Sequence, residues 1–147
     1  MVRTVRDDSR VPARLSTVEP LRPGPVRREW RFTRGRTGRH AGWAINGLPF
    51  DPSRIDARPR LGEVEVWRLS SDLHHPVHVH LDPFQVLTRG GHPPGPSDGG
   101  WKDTVDLRPT EDVEVAVRFT DHRGRYVIHC HNLEHEDMAT MATFATS

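Results

Sequence analysis

Short stretches in which polar and apolar side chains alternate recur along most of this chain, and they constrain its fold more than any other feature. Six such stretches span residues 29–34, 64–71, 84–89, 104–109, 112–120 and 125–131. Segments rich in Gly, Pro and Asp separate them. Because successive side chains of a strand point to opposite faces, this period indicates half-buried strands joined by turns. We therefore predict an all-β fold, a sandwich or barrel of about seven or eight strands, with one helical turn near 132–137.

The length of 147 residues suits a single domain. Residues 1–27 are rich in Arg and Pro with few apolar side chains, which predicts a linker or tail, and residues 28–147 are predicted to form the domain. The net charge of +1 favours neither a nucleic acid nor an acidic membrane as partner. No apolar run is long enough to cross a bilayer. The N-terminus has no apolar stretch typical of a secretory leader, so we expect a cytoplasmic location unless a longer parent carries a targeting segment.

Histidine is concentrated in two short segments. Residues 74–80 and 129–135 hold seven of the ten histidines, and the second segment contains the single cysteine. In a strand, residues two apart share a face, so His129 and His131 point to one side and Cys130 to the other. The same parity, carried across Pro76, gives an imidazole group, His78, His80, His129 and His131, and a thiolate group, His75 and Cys130, which His135 joins from the turn that follows.

The two groups have the ligand chemistry of two different metal sites. One thiolate with two imidazoles is the trigonal set of blue-copper electron-transfer sites, whereas an all-imidazole set suits copper, zinc, iron or nickel. Cys130 is bonded through its own backbone to His129 and His131, which would provide a short path for an electron. Zinc remains an alternative metal. A cupin-like site would need a Glu that residues 81–86 lack, and a Cys-His nucleophile fits the alternating faces less well.

Both motifs resemble those of a known family. HPVHVH (75–80) and HCHNLEH (129–135) resemble the paired copper motifs of multicopper oxidases. WKDTVDLRP (101–109) and residues 123–137 look like the bacterial branch, which includes spore-coat laccases, bilirubin oxidases and phenoxazinone synthases. The resemblance runs from about Arg28 to the end, and it implies a Greek-key cupredoxin-like sandwich. It also implies electron transfer from a phenolic or aminophenolic reductant to O2, which is reduced to water.

The resemblance also implies a role for each site residue. Type 1 copper would be held by His75, Cys130 and His135, type 2 copper by His78, and the type 3 copper pair by His80, His129 and His131. His135 would be the point where electrons enter from the substrate. Glu136, which follows it, would help to deliver protons to bound oxygen.

The chain departs from the family pattern in two places. The axial ligand of type 1 copper is commonly a Met five residues after the last type 1 histidine, and here that residue is Thr140, with Met141 as a possible substitute. A missing thioether is expected to raise the reduction potential.

The second departure is that only half of the family's trinuclear ligands are present, so an isolated monomer is expected to be inactive towards oxygen. The chain would then be a fragment, the partner of separate N-terminal cupredoxin domains, or half of a pair of identical copies. Two other classes remain open, a stand-alone type 1 electron-transfer or copper-binding module and an inactive remnant.

Several residues outside the motifs also carry expectations. The core or the sheet faces are predicted to contain Trp30, Trp43, Trp67 and Phe84. Glu65 and other acidic strand residues are predicted to lie on solvated faces. Trp101 is expected to pack in its loop, and Asp103 either packs there or orients a ligand histidine.

Overall fold

Nine strands and one short α-helix are present in the described residues, 6–37 and 40–147, of the computed structural model. The strands are β1 (Val26–Thr37), β2 (His40–Ile45), β3 (Val64–Ser71), β4 (His75–Val79), β5 (Phe84–Arg89), β6 (Thr104–Leu107), β7 (Asp112–Arg118), β8 (Gly124–Cys130) and β9 (Met141–Thr146). The helix α1 (Leu133–Asp137) lies between β8 and β9, and a 3-10 turn covers Pro96–Asp98. No helix among these residues is long and apolar enough to cross a membrane.

The strands form two sheets, one of five strands in the order β2-β1-β3-β7-β5 and one of four in the order β6-β4-β8-β9. Among these nine described strands, β1 and β3 pair in parallel, and all other neighbours are antiparallel. The predicted all-β, cupredoxin-like sandwich is confirmed by this arrangement. Because β4 and β8 are adjacent in the middle of the smaller sheet, the two histidine-rich segments lie side by side.

The predicted number of strands was too low by one or two, because β2 and β9 lack clear polar–apolar alternation. β2 contains small residues around Trp43 and becomes extended by pairing with β1. β9 is almost wholly buried and pairs with β8 from Met141↔His129 to Thr146↔Gly124. In both strands, pairing and burial decide the conformation rather than a local pattern.

The core between the sheets is organised around Trp67, which is fully buried. Its ring lies 5.4 Å from that of Trp30, 5.6 Å from Phe119 and 5.5 Å from Phe144. Aromatic pairs at such distances contribute roughly 0.5–1.5 kcal/mol each beyond the burial of their surface. The prediction of a core or sheet-face position is confirmed for Trp30, Trp67 and Phe84.

Glu65 corrects one expectation from the sequence, since it is only 5% exposed rather than solvated. It lies on β3 beside Trp67, whose indole nitrogen donates a hydrogen bond of 2.8 Å to its carboxylate. Arg28 donates two further hydrogen bonds, of 2.6 and 2.8 Å, from β1. A buried carboxylate is tolerated when it is paired and hydrogen-bonded in this way, and these contacts hold the pKa of Glu65 below its usual value against the opposing effect of burial.

The N-terminal segment has no helix or strand over residues 6–25, but part of it is attached to the sandwich. Leu21 is 6% exposed, and its amide donates a 2.9 Å hydrogen bond to the side chain of Gln85 on β5. The amide nitrogen of Gln85 in turn donates to the carbonyl of Glu19. Residues 19–21 are thus attached to β5, an edge strand of the larger sheet, through the side chain of Gln85. Residues 1–5 of the predicted tail lie outside the described residues.

Candidate metal centre

Strand β8 separates the two kinds of candidate ligand. Ile128 and Cys130 are fully buried and face the core, whereas His129 and the next residue but one, His131, point to the opposite side of the smaller sheet. The amide of His131 donates a 2.7 Å hydrogen bond to the carbonyl of Pro76, which continues the contact with β4 beyond the end of β8. One strand thus presents a thiol inward and imidazoles outward, as strand parity predicts.

The thiolate group of the sequence analysis converges in the core. The Sγ atom of Cys130 lies 3.6 Å from Nδ1 of His135, and this nitrogen lies 3.2 Å from Nδ1 of His75. All three donor atoms lie within 4.8 Å of one another, and all three residues are buried. Two imidazole nitrogens and one sulfur are therefore directed at a common point with little access to water.

The short helix α1 brings His135 into contact with Cys130. Asn132 begins α1 as its N-cap, and its side-chain oxygen accepts a 3.2 Å hydrogen bond from the amide of Glu134. The amide of Asn132 donates a 3.2 Å hydrogen bond to Cys130 Sγ. An Asn in this position satisfies an amide that the helix leaves free, so the sequence itself favours a helix start here. One turn later His135 lies against the sulfur.

Trp43 completes the wall of this buried cluster. Its ring lies 3.8 Å from the ring of His135 and meets the ring of His75 edge-on at 5.1 Å. Trp43 was predicted to lie in the core or on a sheet face, and at 7% exposure it is buried. Its contact with two candidate ligands was missed, because no local pattern relates residue 43 to residue 135.

Burial determines the protonation of the cluster. It lowers the pKa of His75 to about 4, with repulsion from His135 as a second cause, and it also lowers the pKa of His135. The same effect raises the pKa of the Cys130 thiol. Both imidazoles are thus held neutral, the form that binds metals, and a bound cation would favour the thiolate.

The residues present fit copper. One sulfur and two imidazole nitrogens form the donor set of blue-copper sites. His75 adds a second indication: its Nε2 is buried with no hydrogen-bond partner among the residues that the structure describes, and the carboxylate of Asp72 lies 3.8 Å away. An imidazole that binds metal through Nδ1 carries its proton on Nε2, and a carboxylate is a common partner for that proton.

The imidazole group assembles on the outer side of the smaller sheet. Neighbouring rings lie 4.7–5.1 Å apart around the ring of four, His78, His80, His129 and His131. The Nε2 atoms of His80 and His129 approach to 3.0 Å. Donor atoms of His78, His129 and His131 lie within 4.8 Å of one another. His131 is exposed, so this group forms an open surface rather than a closed cage.

The loop before β6 orients His78. Its Nδ1 lies 2.9 Å from the carbonyl oxygen of Asp103 and 3.1 Å from Oγ1 of Thr104. With Nδ1 engaged in this way, Nε2 is the nitrogen free to bind a metal. The role of Asp103 was open from the sequence, and in the structure its backbone carbonyl makes this contact. Trp101, expected to pack in its loop, is 43% exposed.

Three further predicted site residues surround the two groups. Glu136 lies on the imidazole side, with a carboxylate oxygen 3.8 Å from Nδ1 of His129. Thr140 is fully buried on the side of Cys130. Met141 pairs with His129 in the β8–β9 register, so its side chain points to the face opposite Cys130.

A cavity of about 260 Å³ opens beside His135. It is lined by Arg34, Gly42, Trp43, Leu73, Glu134, His135 and Met138. Since His135 contacts both the cavity and Cys130, a molecule bound in the cavity would lie close to the buried cluster.

A two-sheet sandwich with a buried His₂Cys cluster, backed by an open imidazole surface, is the structure of a copper-binding cupredoxin domain. Comparison with known proteins gives the family. The model of the multicopper oxidase family matches residues 23–147, so the chain belongs to this family, whose cofactor is copper.

The relatives of this chain are longer proteins. It is 40% identical over 105 residues to a laccase of Haloferax volcanii, covering 68% of this chain and 18% of the laccase. It is 39% identical to the bilirubin oxidase of Albifimbria verrucaria, covering 96% of this chain and 26% of that protein. The chain therefore spans about a quarter or less of the length of these relatives.

Solved structures agree with this assignment. A multicopper oxidase from Pediococcus acidilactici superposes with a TM-score of 0.81 at 30% identity, over 96% of this chain and 30% of that one. The multicopper oxidase McoA of Aquifex aeolicus gives the same TM-score at 31% identity, and the match covers 95% of this chain and 33% of the McoA chain.

Proposed function

We propose that this chain is the electron-accepting copper domain of a multicopper oxidase. His75, Cys130 and His135 hold type 1 copper, His78 contributes to type 2 copper, and His80, His129 and His131 contribute to the type 3 pair. When bound, copper supplies one-electron oxidation of the reductant at the first site and reduction of dioxygen to water at the second. The reductant is a phenol or aminophenol.

The observation that carries this proposal is that successive side chains at the end of β8 point to opposite faces of the smaller sheet. The Cys130 sulfur lies inside the sandwich, and its two neighbours in sequence place imidazoles outside it. A covalent path therefore runs from the thiolate through one residue of backbone to each imidazole. Packing alone provides no reason for a buried thiol between two outward histidines.

His135 and Glu136 have separate tasks in this proposal. His135 borders the cavity beside Trp43 and touches Cys130, so it is the group through which an electron leaves a bound reductant. Glu136 follows it on α1 but lies beside His129, 3.8 Å from Nδ1. A carboxylate at that distance from the oxygen-binding face can hold and pass on a proton.

The imidazole surface needs a partner. Four imidazoles are grouped there among the described residues, whereas the family's trinuclear site uses eight. The open face with exposed His131 supports completion by other ligands. We propose that N-terminal cupredoxin domains of the same assembly supply them, and a second copy of this chain is the alternative source.

The experiment that tests the proposal is a copper titration of the reduced protein. Visible absorption, electron spin resonance and total metal are followed together, with Cys130→Ser as the matched control. One copper per chain with an intense blue band, lost in the control, is the expected result. No blue band in the wild-type protein would contradict the proposal.

The number of coppers and the mass of the complex then identify the partner. A second class of copper that appears together with a dimer would indicate that two copies complete the surface. A blue monomer that consumes no oxygen on an oxygen electrode until the N-terminal domains are added would support those domains as the partner. A blue monomer that is unaffected by them would favour the other candidate function, a stand-alone electron-transfer module built on the buried cluster alone.

A further inference from the structure

Thr140 connects the two segments that carry Cys130 and His135. Its amide and its hydroxyl both donate to the carbonyl oxygen of His135, at 3.0 and 2.6 Å. Its own carbonyl accepts a 3.2 Å hydrogen bond from the amide of Cys130. The residue has no exposed surface. Thr140 thus contacts the backbones of two candidate copper ligands at once.

The end of α1 explains how Thr140 reaches this position. Ala139 has a left-handed φ of 56°, and its amide donates to the carbonyl of Glu136 at 2.8 Å. Together with the bond from the Thr140 amide to His135, this is the paired hydrogen bonding of a Schellman motif. The threonine hydroxyl adds a further bond to the same carbonyl, which an apolar residue could not supply.

Neither methionine of the described residues shares the buried face with the cluster. Met141 pairs with His129 and points to the opposite side of the sheet. Met138 is 48% exposed and lines the outer cavity beside His135. The buried residue that follows α1 on the side of Cys130 is Thr140, whose hydroxyl proton is already engaged by a carbonyl.

We propose that Thr140 is a positioning residue, which fixes His135 relative to Cys130 and leaves type 1 copper without a thioether ligand. This inference rests on the proposed function, because it assumes that His75, Cys130 and His135 bind the copper. An axial thioether is one of the groups that tune the potential of such sites. With a hydroxyl that faces a carbonyl in its place, copper held by His75, Cys130 and His135 would lack a thioether donor, and we expect its potential to be higher than with one.

Three variants test the two parts of the proposal. Thr140→Ser keeps the hydroxyl, Thr140→Val removes it at nearly the same shape, and Thr140→Met supplies the thioether. Thr143→Val is the control, since Thr143 is buried on β9, the strand that begins just after Thr140, and pairs with Val127, away from the ligand segments. Release of copper to a chelator, the visible spectrum and the reduction potential are measured for each protein.

The positioning role predicts that Thr140→Val releases copper about fivefold faster, the factor that loss of one ordinary hydrogen bond produces. Thr140→Ser and Thr143→Val should match the wild-type rate. If copper lacks a thioether ligand, Thr140→Met, which supplies one, should lower the reduction potential and alter the blue spectrum. Equal release from Thr140→Val and the wild-type protein would overturn the positioning role. An unchanged potential and spectrum in Thr140→Met would overturn the inference about the missing thioether.

Hydrogen exchange of the metal-free protein separates this inference from the proposed function. Faster exchange of the residue 140 and Cys130 amides in Thr140→Val, with no change in Thr143→Val, is the expected result and supports the positioning role. Unchanged exchange would overturn it. Failure of the wild-type protein to form a blue centre would instead overturn the proposed function, and with it the inference that copper lacks a thioether ligand.

Discussion

The Nε2 atoms of His80 and His129 lie 3.0 Å apart across the β4–β8 pair. At this distance one ring donates a proton and the other accepts it when no metal is present. Both nitrogens are then directed at one point, so a single ion would replace the shared proton. Because metal binding displaces protons from such ligands, metal binding by His80 and His129 should weaken as the pH falls.

His80→Gln is expected to weaken the binding of a second metal equivalent at least about tenfold, without changing the buried cluster. Removal of a direct ligand should lower the metal affinity at least as much as removal of a residue that hydrogen-bonds a ligand, which lowers it about 10–100-fold. Equilibrium dialysis with zinc or copper measures the second equivalent. His92→Gln is the control, because His92 is exposed on a loop away from the imidazoles. Equal binding by both variants would contradict the shared site.

Trp43→Leu is expected to lower the free energy of unfolding of the metal-free protein by about 1–3 kcal/mol. The substitution removes a buried ring that stacks on His135 at 3.8 Å and leaves part of its volume empty. Trp43→Phe should lose less, because it keeps an aromatic face. Trp101→Leu is the matched control, since Trp101 is 43% exposed and its loss should change stability by less than about 0.5 kcal/mol. Urea unfolding measures all three, and equal losses for Trp43→Leu and Trp101→Leu would count against the packing role.

Asp72→Asn is expected to weaken copper binding at the buried cluster by about tenfold. The carboxylate lies 3.8 Å from the buried Nε2 of His75, and its other oxygen accepts a 2.8 Å hydrogen bond from the amide of Arg34. Asparagine keeps the size of the side chain but removes the charge that makes the imidazole a stronger ligand. Competition with a chelator measures the affinity, with the exposed Asp121→Asn as control. An unchanged affinity in Asp72→Asn would exclude this contribution.

The metal-free protein is expected to lose stability as the pH falls from about 6.5 towards 4. Burial lowers the pKa of His75 to about 4 from 6.5, so the unfolded chain binds more protons than the folded one in this window. At about 1.4 kcal/mol per pH unit the loss from His75 amounts to about 3 kcal/mol. The pKa values of His78, His80 and His135 are lowered by burial too and act in the same direction.

Urea unfolding of the metal-free protein at pH 7.5, 6 and 5 measures this slope. His75→Asn should reduce the slope, since it removes the most strongly shifted group. Bound copper should suppress it as well, because the ligand nitrogens are then no longer free to take up protons. Stability that stays constant or rises on acidification would show that these imidazoles are not held neutral by the fold.

The separation of the ligands into two groups was predictable from the sequence, because strand parity is a local property. Cys130 lies between His129 and His131, and any extended backbone sends the cysteine to one face and its neighbours to the other. The parity also held across Pro76, so His75 faces the core while His78 faces outward. The polar–apolar period likewise indicated most of the strands.

Whether Thr140 or Met141 lies on the same side of the sheet as Cys130 was not predictable from the sequence. Both follow α1, and the family pattern alone allowed either to lie beside the buried cluster of His75, Cys130 and His135. The pairing of Met141 with His129 decides the matter, because one step of register moves every side chain of a strand to the other face. Glu65 shows the same limit: its burial depends on Arg28 and Trp67, which reach it only in the folded sandwich.

The sequence by itself determined most of the strands, the opposite orientations of Cys130 and its two neighbouring histidines, and the family. These features depend on neighbours along the chain, where backbone geometry allows few alternatives. Only the tertiary structure decided that Trp43 covers His135, that Asp72 faces His75 and that Thr140 joins two ligand segments. Each of these contacts joins segments whose relative placement depends on register, turns and sheet packing, and no local pattern of residues encodes it.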